Sequence, residues 1–93
     1  MALTEQPEAP DSVDEALDVT GLNCPLPILK TKRALARLPV GTVLHVVATD
    51  PHAVVDFRAF FAGSHHNLLH VREDEAGERF EFWIRREAQS ASA

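Results

Sequence analysis

The most informative part of the chain is residues 17–41, with the sequence LDVTGLNCPLPILKTKRALARLPVG. Apolar and polar residues alternate over residues 17–20, which predicts a short β-strand, and Gly21 and Asn23 predict a turn after it. Residues 25–38 have the apolar spacing of a helix. The predicted buried face of this helix is Ile28, Thr31, Ala34, Leu35 and Leu38. This part of the chain therefore predicts a strand, a turn and a helix, with the only cysteine at the junction.

A second strand and a second helix are predicted after this stretch. Residues 42–49, TVLHVVAT, are rich in β-branched side chains, as is typical of a central strand. Asp50 and Pro51 predict the start of a helix, with Asp50 as the N-cap and Pro51 in the first turn. Gly63 suits the position after the last turn. The predicted buried face of this helix is aromatic: Val54, Phe57, Phe60 and Phe61.

Two more strands complete the predicted fold. They cover residues 68–72 and 79–85, and Ala76-Gly77 predicts a hairpin turn between them. The order βαβαββ predicts an α/β (α+β) two-layer sandwich, in which two helices cover one face of a four-stranded mixed sheet. The connection between the first two strands contains a helix, so we expect these strands to be parallel.

Charge divides the chain into a tail and a domain. Residues 1–15 contain five acids and no base, and we expect a disordered acidic tail there. Residues 16–87 are predicted to form one domain, and residues 88–93 a frayed C-terminus. The domain and C-terminus together contain nine acids and nine bases, so net charge gives no support for direct nucleic-acid binding. An acidic N-terminus and the lack of a long apolar run predict a cytoplasmic monomer that does not contact membranes.

Cys24 is the predicted reactive residue. A sulfur at a helix N-terminus is close to free N–H groups and the positive end of the helix dipole, so we expect a lowered thiol pKa. Pro25 and Pro27 are tolerated in the first turn and restrain the backbone beside the thiol. The resulting thiolate would attack the sulfane sulfur of a donor protein, and the same environment would hold the anionic persulfide.

The absence of other cysteines narrows the chemistry. With no second thiol the chain cannot form a C-x-x-C redox pair or an internal disulfide, so it can accept a sulfur atom and pass it on. No base adjoins Cys24 in the sequence, which argues against a protease-type Cys–His nucleophile. The alternative is a buried structural cysteine. A loop position between two elements, next to two prolines, favours the reactive cysteine.

The same residues resemble the TusA-like sulfur carriers, also called the SirA or YhhP family. The family pattern is a strand, a turn with glycine, C-P-x-P, a helix, and a glycine before the second strand. This chain matches the pattern at Gly21, Cys24, Pro25, Pro27 and Gly41. The resemblance extends over residues 17–86, through Thr49-Asp50-Pro51 and Asp56 to the closing hairpin.

The resemblance implies a βαβαββ fold and a sulfurtransferase that carries sulfur as a persulfide on Cys24. It implies a donor, either a cysteine desulfurase or a rhodanese-like protein, and a DsrE-type or similar acceptor. The pathways open to such a carrier are sulfur oxidation, tRNA 2-thiolation and molybdenum-cofactor assembly. Leu26 stands where some tRNA-thiolation members have an acidic residue. That difference weakens the tRNA assignment.

Two sets of residues are predicted to assist Cys24. The set that shapes the site is Gly21, Asn23, Pro25, Leu26 and Pro27. The set that contacts a partner protein is Leu29, Lys30, Lys32, Arg33 and Arg37. The simpler alternative for the second set is a solvated helix face with an ordinary exposed leucine.

The histidines and aspartates outside the Cys24 turn are explained by structural roles. His65, His66 and His70 have no cysteine or well-spaced carboxylate beside them, so we expect no metal site, and we expect no cofactor. Asp50 and Asp56 are explained by a helix cap and a polar helix face rather than by catalysis.

A different class of function remains open from the sequence. The chain could be a non-catalytic interaction module or an RNA-binding regulator that uses the basic first helix. The βαβαββ order also resembles the C-terminal domain of translation initiation factor three. A module of this kind would not need Cys24, so substitution of that residue separates the two hypotheses.

Overall fold

The computed structural model describes Pro10 and residues 12–88 of the chain. The elements are β1 Glu15–Val19, α1 Leu26–Arg37, β2 Val43–Ala48, α2 Ala53–Ala62, β3 Asn67–Glu73 and β4 Phe80–Arg85. This order confirms the predicted βαβαββ fold. The predicted acidic tail lies mostly outside the described residues, as does nearly all of the predicted frayed C-terminus.

The four strands form one mixed sheet in the order β1-β2-β4-β3. β1 and β2 are parallel, as predicted, with Leu17 opposite Val46. β4 is antiparallel to both of its neighbours, and a register irregularity interrupts the β3–β4 pairing between Leu68 and His70. The parallel pair is important for the site, because the carboxyl ends of β1 and β2 lie at the same edge of the sheet.

The core lies between the helices and one face of the sheet. The ring of Phe57 on α2 stacks on Phe82 of β4, with centroids 3.9 Å apart, and both side chains are fully buried. Burying one such side chain contributes about 1.5–3 kcal/mol. Thr31 is buried on α1, where its hydroxyl donates to the Pro27 carbonyl at 2.7 Å. The predicted buried faces of both helices are therefore confirmed.

The other sheet face carries polar and aromatic side chains. Alternation along β4 places Trp83 on this face, opposite Phe82, as predicted. Trp83 is nevertheless only 4% exposed. The rings of His45 and His70 pack against it at centroid distances of 4.6 and 5.2 Å, and the Arg72 guanidinium lies 5.1 Å above its ring.

Two predicted boundaries, the start of β1 and the start of α2, are wrong in detail. β1 begins at Glu15 rather than residue 17, within the segment assigned to the tail. α2 begins at Ala53 with His52 as its N-cap, so Asp50 is not the N-cap. Asp50 Oδ1 does accept the His52 N–H at 3.1 Å, but Oδ2 accepts the N–H of Cys24 in the loop after β1. Gly63 is the C-cap at φ −99°, so this position does not require glycine.

Neither helix of the described residues is long and apolar enough to cross a lipid bilayer.

Candidate functional site

Cys24 lies in the turn between β1 and α1, where it is exposed and free. Its peptide bond to Pro25 is cis. The turn begins at Gly21, which has φ +81° and donates its N–H to Thr49 Oγ1 at 2.8 Å. Asn23 accepts the Leu26 N–H on its carbonyl at 2.8 Å, which connects the turn to the helix. The turn is therefore tied both to the start of α1 and to the end of β2.

Asp50 holds the Cys24 backbone from across the sheet edge. The Cys24 N–H donates to Asp50 Oδ2 at 2.6 Å, although the residues are 26 positions apart. The Asp50 side chain is almost fully buried, and the N–H groups of His52 and Cys24 lower its pKa against the opposing effect of burial. Asp50 is therefore an ionised carboxylate that ties the cysteine loop to the start of α2.

Asp56, on the first turns of α2, interacts with the thiol itself. One ligand atom each of Cys24, Asp50 and Asp56 lies within 4.8 Å of the other two. The pKa of the Cys24 thiol is raised, first by its hydrogen bond to the Asp56 carboxylate, then by burial and by the negative charges of Asp56 and Asp50. The two carboxylates favour the neutral thiol over the thiolate.

The predicted lowering of the Cys24 pKa is therefore wrong. Pro25 and Pro27 have no N–H group, the Leu26 N–H donates to Asn23, and the N–H of Cys24 donates to Asp50. The first turn of α1 consequently offers few free donors to the sulfur. The nearest charges are the carboxylates of Asp50 and Asp56.

The exposed face of α1 carries most of the predicted partner-binding residues. Leu26, Lys30, Arg33 and Arg37 follow the spacing i, i+4, i+7 and i+11, which places them on one stripe. Leu29 flanks this stripe, and Leu26 and Leu29 are 44% and 45% exposed. We call these five residues the α1 stripe. Lys32 is not part of it, because its Nζ lies 5.5 Å from the ring centroid of Phe60 on α2.

Comparison with known proteins assigns the family. The family model described as sulfurtransferase TusA matches residues 15–86, most of the chain. The chain belongs to the TusA family. It is 47% identical over 73 residues to the sulfur carrier protein TusA of Allochromatium vinosum, covering 78% of this chain and 93% of that protein. It is 54% identical over 61 residues to a putative sulfur carrier protein of Neisseria meningitidis, covering 66% of this chain and 82% of the relative.

The fold agrees with a solved structure. A SirA-like protein of Desulfitobacterium hafniense superposes with a TM-score of 0.68 at 24% identity, covering 81% of this chain and 100% of the other. The predicted resemblance to TusA-like sulfur carriers is thus confirmed, and with it a general role in carrying sulfur. A sulfur carrier of this family exchanges sulfur with donor and acceptor proteins.

Asp50 and Asp56 are the residues of this TusA-family site whose contacts with Cys24 were missed from the sequence. Asp50 was assigned to a cap and Asp56 to a polar helix face, since each has a satisfactory local explanation. A sequence signal was present: the predicted parallel pair places the start of α2 beside the Cys24 turn. The parallel pairing predicts that the start of α2 lies near the Cys24 turn, but it does not predict which side chains contact the cysteine.

The three histidines considered as metal ligands from the sequence, His65, His66 and His70, do not converge with this site, whereas His52 Nδ1 lies 3.5 Å from Asp50 Oδ1. His70 packs on Trp83, while His65 and His66 lie next to each other after α2. Within the described residues, the group of three potential metal ligands is Cys24, Asp50 and Asp56. Both oxygens of Asp50 already accept backbone N–H groups, so this cluster is occupied by internal hydrogen bonds.

Proposed function

We propose that this TusA-family chain carries sulfane sulfur as a persulfide on Cys24 and relays it from a donor protein to an acceptor protein. The observation that supports this most directly is the exposed, free thiol of Cys24 at the edge of the sheet. The sequence contains no second cysteine that could resolve the persulfide into an internal disulfide. Sulfur bound here can leave only to another molecule.

The Asp56 carboxylate supplies the proton acceptor that the sequence did not reveal. Because a carboxylate oxygen of Asp56 lies within 4.8 Å of the Cys24 sulfur, it is placed to accept the thiol proton as the sulfur attacks. The Cys24 sulfur forms a bond to the terminal sulfur of the donor persulfide, and the donor's S–S bond breaks. The donor cysteine leaves with the electron pair as a thiolate. The terminal sulfur keeps its oxidation state, so no external oxidant or reductant is needed.

The same carboxylates favour onward transfer. A persulfide anion on Cys24 lies beside the negative charges of Asp50 and Asp56, which disfavour it electrostatically. When an acceptor thiolate attacks the terminal sulfur of the protonated persulfide, the S–S bond breaks and Cys24 leaves with the electron pair as a thiolate. That thiolate then takes a proton from Asp56 or from water. The site therefore favours a carrier that is easily unloaded over a store that retains sulfur.

The α1 stripe is the proposed contact for donor and acceptor. It combines two exposed leucines with three cations directly beyond the Cys24 turn, and a sulfur transfer requires a close apolar approach. The proposed donor is a cysteine desulfurase or rhodanese-like protein, and the proposed acceptor is a DsrE-type or similar protein. Leu26 between the two prolines favours sulfur oxidation or general sulfur trafficking over tRNA 2-thiolation.

Mass spectrometry of the loaded protein tests this proposal. After incubation with a persulfide donor and removal of the donor, the chain should gain the mass of one sulfur atom on Cys24. The Cys24→Ala chain should gain none. A gain of equal size in both proteins, or no gain in either, contradicts the proposal. Loss of the added mass on incubation with a thiol acceptor shows that the sulfur is transferable.

A further inference from the structure

A cavity of about 460 Å³ lies away from Cys24, between the second half of α1, the end of α2 and the segment after β4. Residues that line it include Lys32, Leu35, Phe60, Ser64, His66 and Arg86. Lys32 is six residues into α1, about 9 Å along the helix from its start. No residue of the Cys24 site contributes to the cavity. Its volume is within the range of about 300–1,000 Å³ typical of small-molecule sites.

The lining combines basic and apolar side chains. Lys32, His65, His66 and Arg86 bring nitrogen-bearing side chains to the cavity, and none of the residues that line it is acidic. The nearby Glu87 is engaged by Arg85 at 2.8 Å. Leu35 and Phe60 form the apolar part of the wall. A ligand that fits this lining carries a negative group and an apolar body.

Arg86 is an incompletely satisfied cation in this wall. One of its terminal nitrogens donates to the Leu35 carbonyl. Its Nε is buried and, among the described residues, has no acceptor. A buried donor without a partner is unfavourable, and a guanidinium cannot relieve this by losing its proton. An anion in the cavity would compensate the charge and offer acceptor oxygens.

The two polar neighbours of Arg86 have donors to spare. His66 Nδ1 accepts the Glu87 N–H at 3.1 Å, so the neutral ring carries its proton on Nε2. Ser64 Oγ accepts the His66 N–H at 3.0 Å, which leaves the hydroxyl proton available. The pKa of His66 is lowered first by burial and then by its electrostatic interactions with His65 and Arg86, against the opposing effect of Glu87. Lys32 and Arg86 are the cations of the lining.

We propose that this cavity binds a small organic phosphate, with the phosphate among Lys32, Ser64, His66 and Arg86 and the apolar body against Leu35 and Phe60. Four donor groups suit a phosphate, which has three free oxygens, better than a carboxylate with two. This site does not depend on the persulfide chemistry of Cys24, and it gives the chain a second ligand besides sulfur.

Titration of the full chain with phenyl phosphate, followed by NMR, tests the proposal. We expect saturable shifts of the amides at residues 63–66 and 86 and a rise in the pKa of His66, because the bound dianion stabilises its protonated form. Inorganic phosphate and benzoate are run in parallel to separate the phosphate group from the apolar body. Both should bind more weakly than phenyl phosphate. Equal or tighter binding of either overturns the proposed ligand class.

Variants locate the site. Lys32→Gln and Arg86→Gln should each weaken phenyl phosphate binding about tenfold, which corresponds to about 1.4 kcal/mol. Arg58→Gln removes an exposed cation of α2 that does not line the cavity, and it should bind as the wild type does. Lys32 is exposed, so its variant tests the site even if Arg86→Gln fails to fold. Undiminished binding by Lys32→Gln, or no saturable shift in the wild type, overturns the proposal. Cys24→Ala should bind phenyl phosphate normally whether or not the sulfur-carrier proposal holds.

Discussion

The backbone N–H of Cys24 donates to the Asp50 carboxylate, 2.6 Å away and 26 residues later in the chain. The same carboxylate accepts the His52 N–H at 3.1 Å through its other oxygen. One buried side chain thus connects the cysteine turn to the start of α2.

Asp50→Asn should destabilise the fold by about 1–3 kcal/mol, because it removes a buried charged acceptor of two backbone N–H groups. Chemical denaturation measures this change. Asp18→Asn is the matched control, because Asp18 is exposed and its side chain, within the part of the chain that the structure describes, accepts hydrogen bonds from Thr20, two residues away. We expect a much smaller effect there. Equal effects would show that the connection to Cys24 contributes nothing.

Acidification should weaken the wild-type fold through the same residue. The folded pKa of Asp50 is below its ordinary value, so its stabilisation is present above that ordinary value. The stabilisation is lost as the pH falls through the folded pKa. Denaturation across this acidic range should show a smaller loss for Asp50→Asn than for the wild type. A loss of equal size in both proteins would assign the pH dependence to other carboxylates.

Asp56→Asn should shift the pH profile of Cys24 alkylation by iodoacetamide to lower pH. The negative charge that raises the thiol pKa is removed, so more thiolate is present at a given pH. Glu75→Gln, in the exposed β3–β4 turn, is the control and should leave the profile unchanged. An unshifted alkylation profile for Asp56→Asn would exclude Asp56 as the main cause of the raised Cys24 pKa.

Sulfur uptake distinguishes two roles of Asp56. If this carboxylate accepts the thiol proton during attack, Asp56→Asn should take up sulfur from a donor persulfide more slowly near neutral pH, even though it is alkylated faster. Faster uptake in the variant would mean that Asp56 only suppresses the thiolate. The two rates are measured on the same protein preparation, so a folding defect would lower both.

Gly21→Ala should destabilise the chain by about 1–2 kcal/mol, because a left-handed backbone is strained for any side chain. An added Cβ at Gly21 would meet no atom within 4 Å. The loss of stability would therefore come from the backbone conformation at φ +81° and not from a steric clash. Gly63→Ala is the matched control, since Gly63 has φ −99° and its nearest neighbour to a Cβ is the Phe60 carbonyl oxygen at 3.9 Å. Thermal unfolding should show a larger loss of stability for Gly21→Ala than for Gly63→Ala. A smaller loss for Gly21→Ala would contradict the prediction.

Arg33→Glu should slow sulfur uptake from a protein donor, because it reverses a charge at the centre of the α1 stripe. Uptake from a small persulfide such as glutathione persulfide should stay at the wild-type rate, since no docking is involved. Arg58→Glu reverses a charge on α2, outside the stripe, and serves as the control. Slower uptake from both donor types would indicate damage to the Cys24 site and would contradict a docking role.

Most of the fold follows from local patterns in the sequence. The apolar spacing of α1, the β-branched run of β2 and the alternation in β4 each describe which face a side chain presents, and the structure confirms them. Boundaries were less predictable. Asp50-Pro51 has the composition of a helix start, but the Asp50 side chain serves two loops at once, and α2 begins at Ala53.

The site was predictable in position but not in electrostatics. The sequence by itself determined that Cys24 is the sole thiol and that it lies in an exposed turn between β1 and α1. Only the tertiary structure decided the direction of its pKa shift, because that depends on which charges lie within a few ångströms. The cations nearest in sequence lie on α1 beyond the turn. Asp50, in the loop before α2, and Asp56, on α2, are instead brought to the sulfur by the parallel pairing of β1 with β2.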